Sequence, residues 1–189
     1  MMTATASAQD TIQEGSIFFG ADLTNTVDLA TGGAPVGWTV ANNSIDGLTG
    51  FNHSLTPDVA VTTITGLIPN YVYDVAAVYT NLSFFNTNFS AGTDPGALVQ
   101  APVDTSSVTP LTGFDVGTGD AYDLAIGTAI TNEAGELQVF VDDGTENNQA
   151  SFFFSYAGIT ALAVGPAATA IPEPSSLACL LYTSPSPRD

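Results

Sequence analysis

Apolar side chains recur at every second position along much of this chain, and this period constrains the fold more than any other feature. In the clearest segment five residues share one face: Tyr71, Tyr73, Val75, Ala77 and Tyr79. Successive side chains of a β-strand point to opposite faces, so a period of two predicts a strand with one buried face. No stretch keeps the apolar spacing of a helix for three turns. We therefore predict an all-β protein.

Further segments carry the same signal, with β-branched and aromatic residues between turn residues. They are Ser16–Gly20, Trp38–Ala41, Val59–Ile64, Ala97–Gln100, Tyr122–Ile130, Glu136–Asp142 and Ser151–Ala163. Many short strands with Gly, Asn, Asp and Pro between them are typical of an antiparallel β-sandwich or barrel. We place one such domain at residues 11–164, which is long enough to bury a core without disulfides.

The charge balance excludes several classes of function. The chain holds 19 Asp and Glu against one Lys or Arg and one His, for a formal net charge of −18. Nucleic-acid binding and phosphoryl transfer both depend on basic side chains, and a surface this acidic does not adsorb to anionic membranes. We therefore expect no nucleic-acid partner, and carboxylates that are solvated, hydrogen-bonded or bound to cations.

Residues 66–75 read GLIPNYVYDV and resemble the corner of fibronectin-type and related sandwiches, whose pattern is GLxPxxxYxV. The resemblance implies that Tyr73 lies at the corner and that its hydroxyl bonds back to the backbone just upstream. This is a folding device and carries no chemistry. It makes a fibronectin- or immunoglobulin-like sandwich one alternative for the fold.

The body of the chain also resembles the single galactose-binding-like domains of PEP-CTERM proteins. The similarity rests on the order of several motifs: Ala21–Thr26, Gly37-Trp38, Asp123–Thr128, Glu136–Gly144 and Ser155–Ile159. It implies a jelly roll, which we favour over the fibronectin-like alternative. The last strand of such domains often carries an acidic residue where this chain has Ala157, which weakens the transfer of any site there.

The C-terminal region gives the second half of that resemblance. Residues 171–178 read IPEPSSLA, and Pro172, Glu173 and Pro174 resemble the start of a PEP-CTERM sorting signal. The resemblance implies export, processing by an exosortase-type machinery, and a place at the cell surface or in the extracellular matrix of a Gram-negative bacterium. In that family an apolar membrane helix follows, and it would be the protein's only membrane contact. Here it is missing.

The remaining ends of the chain are interpreted separately from the domain. Residues 179–189, with the only Cys and the only Arg, resemble a translated sequencing adapter and are left out of fold reasoning. Residues 165–170 are rich in Gly, Pro and Ala and predict a linker. Residues 1–10 fit either the remnant of a signal peptide or a disordered N-terminus.

Two acidic groups are candidates for a Ca²⁺ site. Asp142, Asp143 and Glu146 cluster around the Asp143-Gly144 turn, and hard oxygen ligands suit Ca²⁺. The spacing is not that of an EF-hand, and a polar hairpin turn explains the same residues. A second acidic group, Asp115, Asp120 and Asp123, is similar. No other cofactor is required.

An aromatic cluster is the candidate glycan-binding site. Tyr79, Phe84, Phe85 and Phe89 stand among Asn, Ser and Thr. Sugars stack on exposed rings while amides and carboxylates bind their hydroxyls. The alternative is that these rings pack beneath a long loop. The single histidine, His53, lies in a predicted polar loop, and the chain has no G-x-S-x-G nucleophile motif, so we assign no catalytic residue.

The sequence leads to one function and two alternatives. We expect an exported, non-catalytic surface or matrix protein that binds exopolysaccharide. The first alternative is a secreted polysaccharide hydrolase that uses a pair of carboxylates. The second is a purely structural surface module stabilised by calcium.

Overall fold

The computed structural model describes residues 15–45, 48–53, 58–81, 89–102, 108–111, 120–142 and 154–168. The regular elements of these residues are all strands: β1 (Ile17–Gly20), β2 (Thr26–Asp28), β3 (Trp38–Ile45), β4 (Leu48–His53), β5 (Ala60–Ile64), β6 (Tyr71–Asn81), β7 (Ser90–Gly92), β8 (Val99–Gln100), β9 (Asp120–Ile130), β10 (Leu137–Asp142) and β11 (Phe154–Pro166). Within this part of the chain no helix is long and apolar enough to cross a bilayer.

The strands form two antiparallel sheets. Sheet A has the order β3-β4-β11-β6-β9, with β1 also paired to β11, and sheet B has the order β2-β5-β10-β7-β8. From β5 to β7 and again from β9 to β11, the chain crosses to the other sheet at every step. These crossings insert β10 between β5 and β7, and β11 between β4 and β6. Such connectivity is that of a jelly roll. The predicted all-β sandwich is confirmed, in its jelly-roll form rather than the fibronectin-like one.

The core fills the space between the two sheets. The inward residues of β6 are at most 3 % exposed, and they are the ones whose period predicted the strand: Tyr73, Val75, Ala77 and Tyr79. Leu137, Val139 and Val141 of β10 face them from sheet B in the same apolar cluster. Burial of these side chains is the main stabilising term, since the described residues contain no Lys or Arg to form ion pairs.

Five aromatic rings run through this core in a continuous row. Neighbouring ring centroids are 5.0–6.5 Å apart, within the range of favourable aromatic pairs. The row is Trp38, Tyr156, Phe89, Tyr79 and Tyr122. Three of its members, Tyr79, Phe89 and Tyr156, are fully buried. The row therefore fixes the packing of the two layers along much of the sandwich.

A chain of buried polar groups joins the sheets beside the aromatic row. The Tyr156 hydroxyl on β11 donates to Thr62 Oγ1 on β5 at 2.9 Å, and Thr62 Oγ1 lies 2.9 Å from Thr26 Oγ1 on β2. Thr26 donates to Asn25 Oδ1 at 2.9 Å, and Asn25 Nδ2 donates to the Gly20 carbonyl at 2.7 Å. A hydroxyl has one proton. Because Thr26 gives its proton to Asn25, Thr62 must donate to Thr26, so every hydroxyl in the chain is satisfied.

The predicted tyrosine corner is confirmed. The Ile68 N–H donates to the Tyr73 hydroxyl at 3.0 Å, which is the bond back to the upstream backbone. Thr131 Oγ1 donates to the Ile68 carbonyl at 2.6 Å and accepts from the Tyr71 N–H at 3.0 Å. Gly135 has φ +73°, and a Cβ there would clash with the Leu67 carbonyl. The corner is thus tied to the β9–β10 turn.

The predicted strands are found, with altered ends. Ala97–Gln100 is reduced to Val99–Gln100, while Tyr71–Tyr79 extends to Asn81. Three strands were not predicted: β2, β4 and β7. One of them corrects the placement of His53, which ends β4 opposite Trp38 instead of lying in a loop.

The predicted linker 165–170 also needs correction at its start. β11 continues through Pro166, and Gly165 and Pro166 pair with Val72 and Tyr71 of β6. The Ala167 N–H then donates to the Asn70 carbonyl at 2.9 Å. Residues 1–10, the sorting signal Pro172–Pro174 and residues 179–189 lie outside the described residues.

Candidate functional site

Two of the four predicted glycan-binding aromatics belong to the core. Tyr79 and Phe89 are both 0 % exposed, and their rings stack at 5.0 Å between centroids. A sugar ring cannot reach either face, so the prediction of exposed stacking surfaces at these two residues is wrong. Ser90 and Ala91, which follow Phe89, are strand residues of β7 and are buried as well. Phe84 and Phe85 lie outside the described residues, and their role stays a prediction.

The predicted calcium ligands are only partly placed by the structure. Asp142 ends β10 and is 9 % exposed, and its carbonyl accepts from Ser90 Oγ at 3.3 Å. Asp143 and Glu146 lie outside the described residues, as does Asp115 of the second group. Asp120 and Asp123 are both on β9. Among the residues that the structure describes, no three acidic, His or Cys side chains come together as a metal site would require.

A polar depression lies where β9 of sheet A passes into β10 of sheet B. We call it the hairpin groove, because the β7–β8 hairpin forms one wall. Its volume is about 610 Å³. Its polar lining consists of Thr93, Asp94, Asn132, Glu136 and Gln138, and its apolar lining includes Pro95, Ile130 and Phe140. The groove is open to solvent and is lined mainly by polar groups.

Short turns hold the polar groups of the hairpin groove in place. Asn132 Nδ2 donates to Glu136 Oε2 at 2.9 Å, while Asn132 Oδ1 accepts from the N–H groups of Ala134 and Glu136, each at 2.9 Å. Across the groove, Asp94 Oδ1 accepts from the Gly96 N–H at 2.8 Å. Each carboxylate is therefore oriented through one oxygen. Preorganised groups lose less side-chain entropy when a ligand binds.

A second depression lies toward the β2 end of sheet B, where β1 of sheet A leads into β2. We call it the threonine groove, and its volume is about 480 Å³. Its lining carries three threonines, Thr24, Thr63 and Thr65, together with Asn25, Val27, Ile64 and Phe19. The hydroxyls of Thr63 and Thr65 come from β5 and from the residue that follows it. This groove presents neutral polar groups beside one aromatic ring.

Two carboxylates near the threonine groove serve the turns and not a ligand. Asp22 Oδ1 accepts from the N–H groups of Thr24 and Asn25, and its pKa is lowered, chiefly by the hydrogen bond from the Thr24 hydroxyl. Asp28 is 1 % exposed, and hydrogen bonds from the Thr31 hydroxyl and N–H lower its pKa. The second oxygen of Asp28 has no hydrogen-bond partner in the described structure. The groups that bond to Asp28 in the described structure, the N–H and hydroxyl of Thr31, are hydrogen-bond donors. A cation site would instead need further acceptor oxygens around the carboxylate.

Sequence reasoning missed both grooves. Their members are turn and strand residues that are far apart in the chain, such as Asp94 and Glu136. Asp94, Pro95 and Gly96 form a turn, in which the Ala97 N–H donates to the Asp94 carbonyl at 3.1 Å, and a turn sequence alone does not indicate a binding site. The polar stretch Asn132–Glu136 between two strong strands was the one local sign of a shaped polar surface.

Comparison with known proteins supports the fold of this chain but identifies no family to which it belongs. No protein-family model matches the chain, and no curated protein matches it significantly. Among solved structures it is similar to a GH26-CBM35 β-(1,4)-mannanase of Podospora anserina, with a TM-score of 0.50, 15 % identity, and coverage of 86 % of this chain and 31 % of that chain. At that identity the likeness concerns the β-sandwich fold alone.

Two further matches are weaker. The insecticidal crystal protein Cry2Aa has a TM-score of 0.49 and 10 % identity, over 77 % of this chain and 21 % of that chain. A Paenibacillus sp. cycloisomaltooligosaccharide glucanotransferase complexed with cycloisomaltoheptaose has a TM-score of 0.33 and 14 % identity, over 75 % and 18 %. The chain thus spans less than a third of each of these three structures.

Proposed function

We propose that this protein is an exported, non-catalytic surface or matrix protein that binds polysaccharide. The observation that carries the proposal is the hairpin groove, in which oriented carboxylate and amide groups converge on an open depression. Glu136 and Asp94 supply acceptors, and Asn132 and Gln138 supply amides. Such a set is suited to ligands that carry many hydroxyl groups.

The chemistry of the groove fits sugar hydroxyls well. A hydroxyl both donates and accepts, so it can bond a carboxylate and an amide N–H together. Hydrogen bonds to an ionised carboxylate are shorter and about twice as strong as neutral ones. The groove also offers apolar contact at the exposed side chains of Ile130 and Pro95 for the C–H faces of a sugar ring. The fold is shared with a mannanase that carries CBM35 in its name, which supports a carbohydrate ligand at the level of architecture.

The proposed location rests on the sorting signal at Pro172–Pro174. An exosortase-type machinery would process the chain there, and the folded sandwich would remain outside the cell. The acidic composition suits that place, because mutual repulsion keeps an exposed protein soluble. Fractionation of cells that express the full gene checks this part of the proposal. Retention of the protein in the cytosol would refute it.

Binding is tested by titrating the domain with soluble polysaccharides and measuring heat. Asp94→Asn and Glu136→Gln each replace a charge-assisted bond by a neutral one and keep the turn contacts that the amides can also make. We expect each to weaken binding by about 1 kcal/mol, roughly fivefold. Asp74→Asn is the matched control, since it removes one exposed carboxylate from sheet A on β6. An equal loss in Asp74→Asn would show that general charge, and not the groove, governs binding.

The hydrolase alternative has a separate test. A glycosidase needs two carboxyl groups at a defined separation, one of them with a raised pKa. Release of reducing sugar by the purified domain, lost in Glu136→Gln, would replace the binding proposal by a catalytic one. We expect no product from any polysaccharide that binds.

A further inference from the structure

The two grooves lie on the same outer face of sheet B. Leu137, Val139 and Val141 of β10 face the core, so Gln138 and Phe140 face outward. On β5 the core residues are Ala60 and Ile64, and Thr63 faces outward. Thr63 and Gln138 are direct register partners, and Gln138 Nε2 lies 3.4 Å from Thr63 Oγ1. Since Thr63 lines one groove and Gln138 the other, the grooves meet at this pair.

The register continues this polar row across the sheet. On one side, β7 ends at Gly92, which pairs with Phe140, and the chain that follows brings Asp94 to the groove that Gln138 also lines. On the other side, the Thr63 N–H donates to the Asn25 carbonyl at 2.8 Å, which places Asn25 beside Thr63. The row therefore runs from Asn25, just before β2, across β5 and β10 to Asp94, just after β7. At about 4.8 Å between neighbouring strands it is roughly 14 Å long, more than one sugar ring can cover.

The row beside it is apolar and covered. Its members pair in register and are Val27, Val61, Phe140 and Gly92. Val61 is 5 % exposed and Phe140 8 %, although both face outward. Over Gly92, a Cβ would meet the Ala97 carbonyl at 3.0 Å and Leu98 Cδ2 at 3.1 Å, so the β7–β8 hairpin packs on that position. The polar row, which is half-buried at Asn25 and Thr63 and exposed at Gln138 and Asp94, thus runs beside a buried apolar row.

The charge of the row selects its ligand. Asp94 and Glu136 stand at one end, and no Lys or Arg occurs anywhere before residue 179. A polysaccharide that carries uronate, sulfate or phosphate groups would bring like charge to these carboxylates, which opposes binding. An uncharged chain meets no such repulsion and can satisfy the carboxylates with its hydroxyls.

We infer that the two grooves form one extended site, in which an uncharged polysaccharide lies across β2, β5, β10 and β7 along the row of Asn25, Thr63, Gln138 and Asp94. This inference rests on the proposed function and adds to it the ligand class and the direction of the chain on the sheet. Short sugars occupy the hairpin groove, where the carboxylates are. Longer ones reach the threonine groove as well.

The test is a length series of linear oligosaccharides, from the disaccharide to the hexasaccharide, of β-1,4-mannose and of glucose. Calorimetry measures their affinity for the wild type and for two variants. We expect the affinity to rise with length until both grooves are filled. Asp94→Asn weakens every length several-fold, whereas Thr65→Val weakens only the longest sugars by about threefold, the size of one neutral hydrogen bond. Thr128→Val on sheet A is the control and changes nothing.

The outcomes separate this inference from the proposed function. If affinity does not depend on length, or if Thr65→Val leaves the longest sugars unaffected, the site is one groove only and the inference fails while carbohydrate binding stands. Failure of all neutral sugars to bind would overturn both. A polygalacturonate that binds more tightly than the neutral chains in the presence of chelator would overturn the assignment of an uncharged ligand.

Discussion

Replacing Tyr156 by Phe tests the direction of the buried hydroxyl chain that joins the two sheets. Tyr156 is fully buried, and its ring packs against Phe89 and Trp38, contacts that Phe retains. The substitution therefore removes one hydrogen bond and little else. Thr62 Oγ1 then no longer accepts a hydrogen bond from Tyr156 but still donates its proton to Thr26 Oγ1. No buried hydroxyl is therefore left with a proton that it cannot donate. We expect a loss of about 1 kcal/mol in the free energy of unfolding.

Thr62→Val is the more damaging change in the same chain. Val has nearly the shape of Thr, but the Tyr156 proton then points at a methyl group in a site without water access. A buried donor that loses its acceptor costs about 1–3 kcal/mol, and Thr26 loses a donated bond as well. We expect a loss of about 2–3 kcal/mol by that principle, clearly larger than for Tyr156→Phe.

The double variant supplies the decisive comparison. Once Thr62 is Val, removal of the Tyr156 hydroxyl removes an unsatisfied donor, so the second step is neutral or stabilising. The double variant is then no less stable than Thr62→Val alone, and the two effects are far from additive. Tyr79→Phe is a matched control, for which we expect the free energy of unfolding to change in the opposite direction. The Tyr79 hydroxyl is buried without a partner in the described structure, so its removal stabilises by up to about 1 kcal/mol.

Urea unfolding at fixed pH measures all four variants. We expect the urea concentration at the midpoint to shift while the slope of the free energy of unfolding against urea stays constant. That result would show that stability has changed and that the compactness of the folded and unfolded states has not. For a domain of this size, 1 kcal/mol corresponds to a shift of about 2–4 °C in melting temperature. Additive losses in the double variant, or a Thr62→Val no worse than Tyr156→Phe, would refute the chain of donors derived from Thr26 and Asn25.

Four further predictions follow from the structure. Gly158→Ala should cost about 3 kcal/mol or more by thermal melting, since φ is +150° and a Cβ would strike the Phe19 carbonyl; a stable variant would show that β1 can move. Asp28→Asn should lower stability at pH 7, because the folded pKa lies below the ordinary value of 3.8, and the difference from wild type should shrink as pH drops below that value and toward the folded pKa; a difference that stays the same down to the lowest pH at which the wild type remains folded would contradict this. Burial raises the pKa of the Tyr79 and Tyr156 hydroxyls above 10. The free energy of unfolding should therefore be unaffected by these groups below pH 10 and should decrease as pH rises above 10, with a smaller decrease in Tyr79→Phe and in Tyr156→Phe. If Asp142, Asp143 and Glu146 hold Ca²⁺, chelator should lower the melting temperature and Ca²⁺ should restore it, with no response in Asp143→Asn; an unchanged melting curve would remove the metal prediction.

The part of the fold that the sequence predicts is the part set by local alternation. β6 and β10 were found from side chains two residues apart, and the structure buries those same residues. The Tyr73 corner was found because its partners lie within one turn of chain. Both signals are contained in a single segment, so no knowledge of the other strands is needed to read them.

The missed elements depend on partners elsewhere in the chain. β2 and β7 have three residues each, which are too few to show a period of two. They form strands because β2 pairs with β5 and β7 pairs with β10. Tyr79 and Phe89 illustrate the same limit. Their polar neighbours suggested an exposed cluster, but Tyr79 stands at an inward position of β6, and Phe89 stacks on it just before β7 begins. The pattern of Tyr79 with Val75 and Ala77 already placed it inside, and local composition was the weaker guide.

The absence of Lys and Arg before residue 179 connects stability with the choice of ligand. Without Lys or Arg, buried carboxylates such as Asp28 have to rely on N–H and hydroxyl donors from their own turns, which fixes the loops around sheet B. The carboxylates of Asp94 and Glu136 are each oriented through one oxygen by the same kind of turn, and both line the open hairpin groove. An uncharged, hydroxyl-rich chain is the macromolecular ligand that can replace water there without adding like charge. The same composition that led us to expect no nucleic-acid partner therefore also narrows the class of polysaccharide that we propose as the ligand.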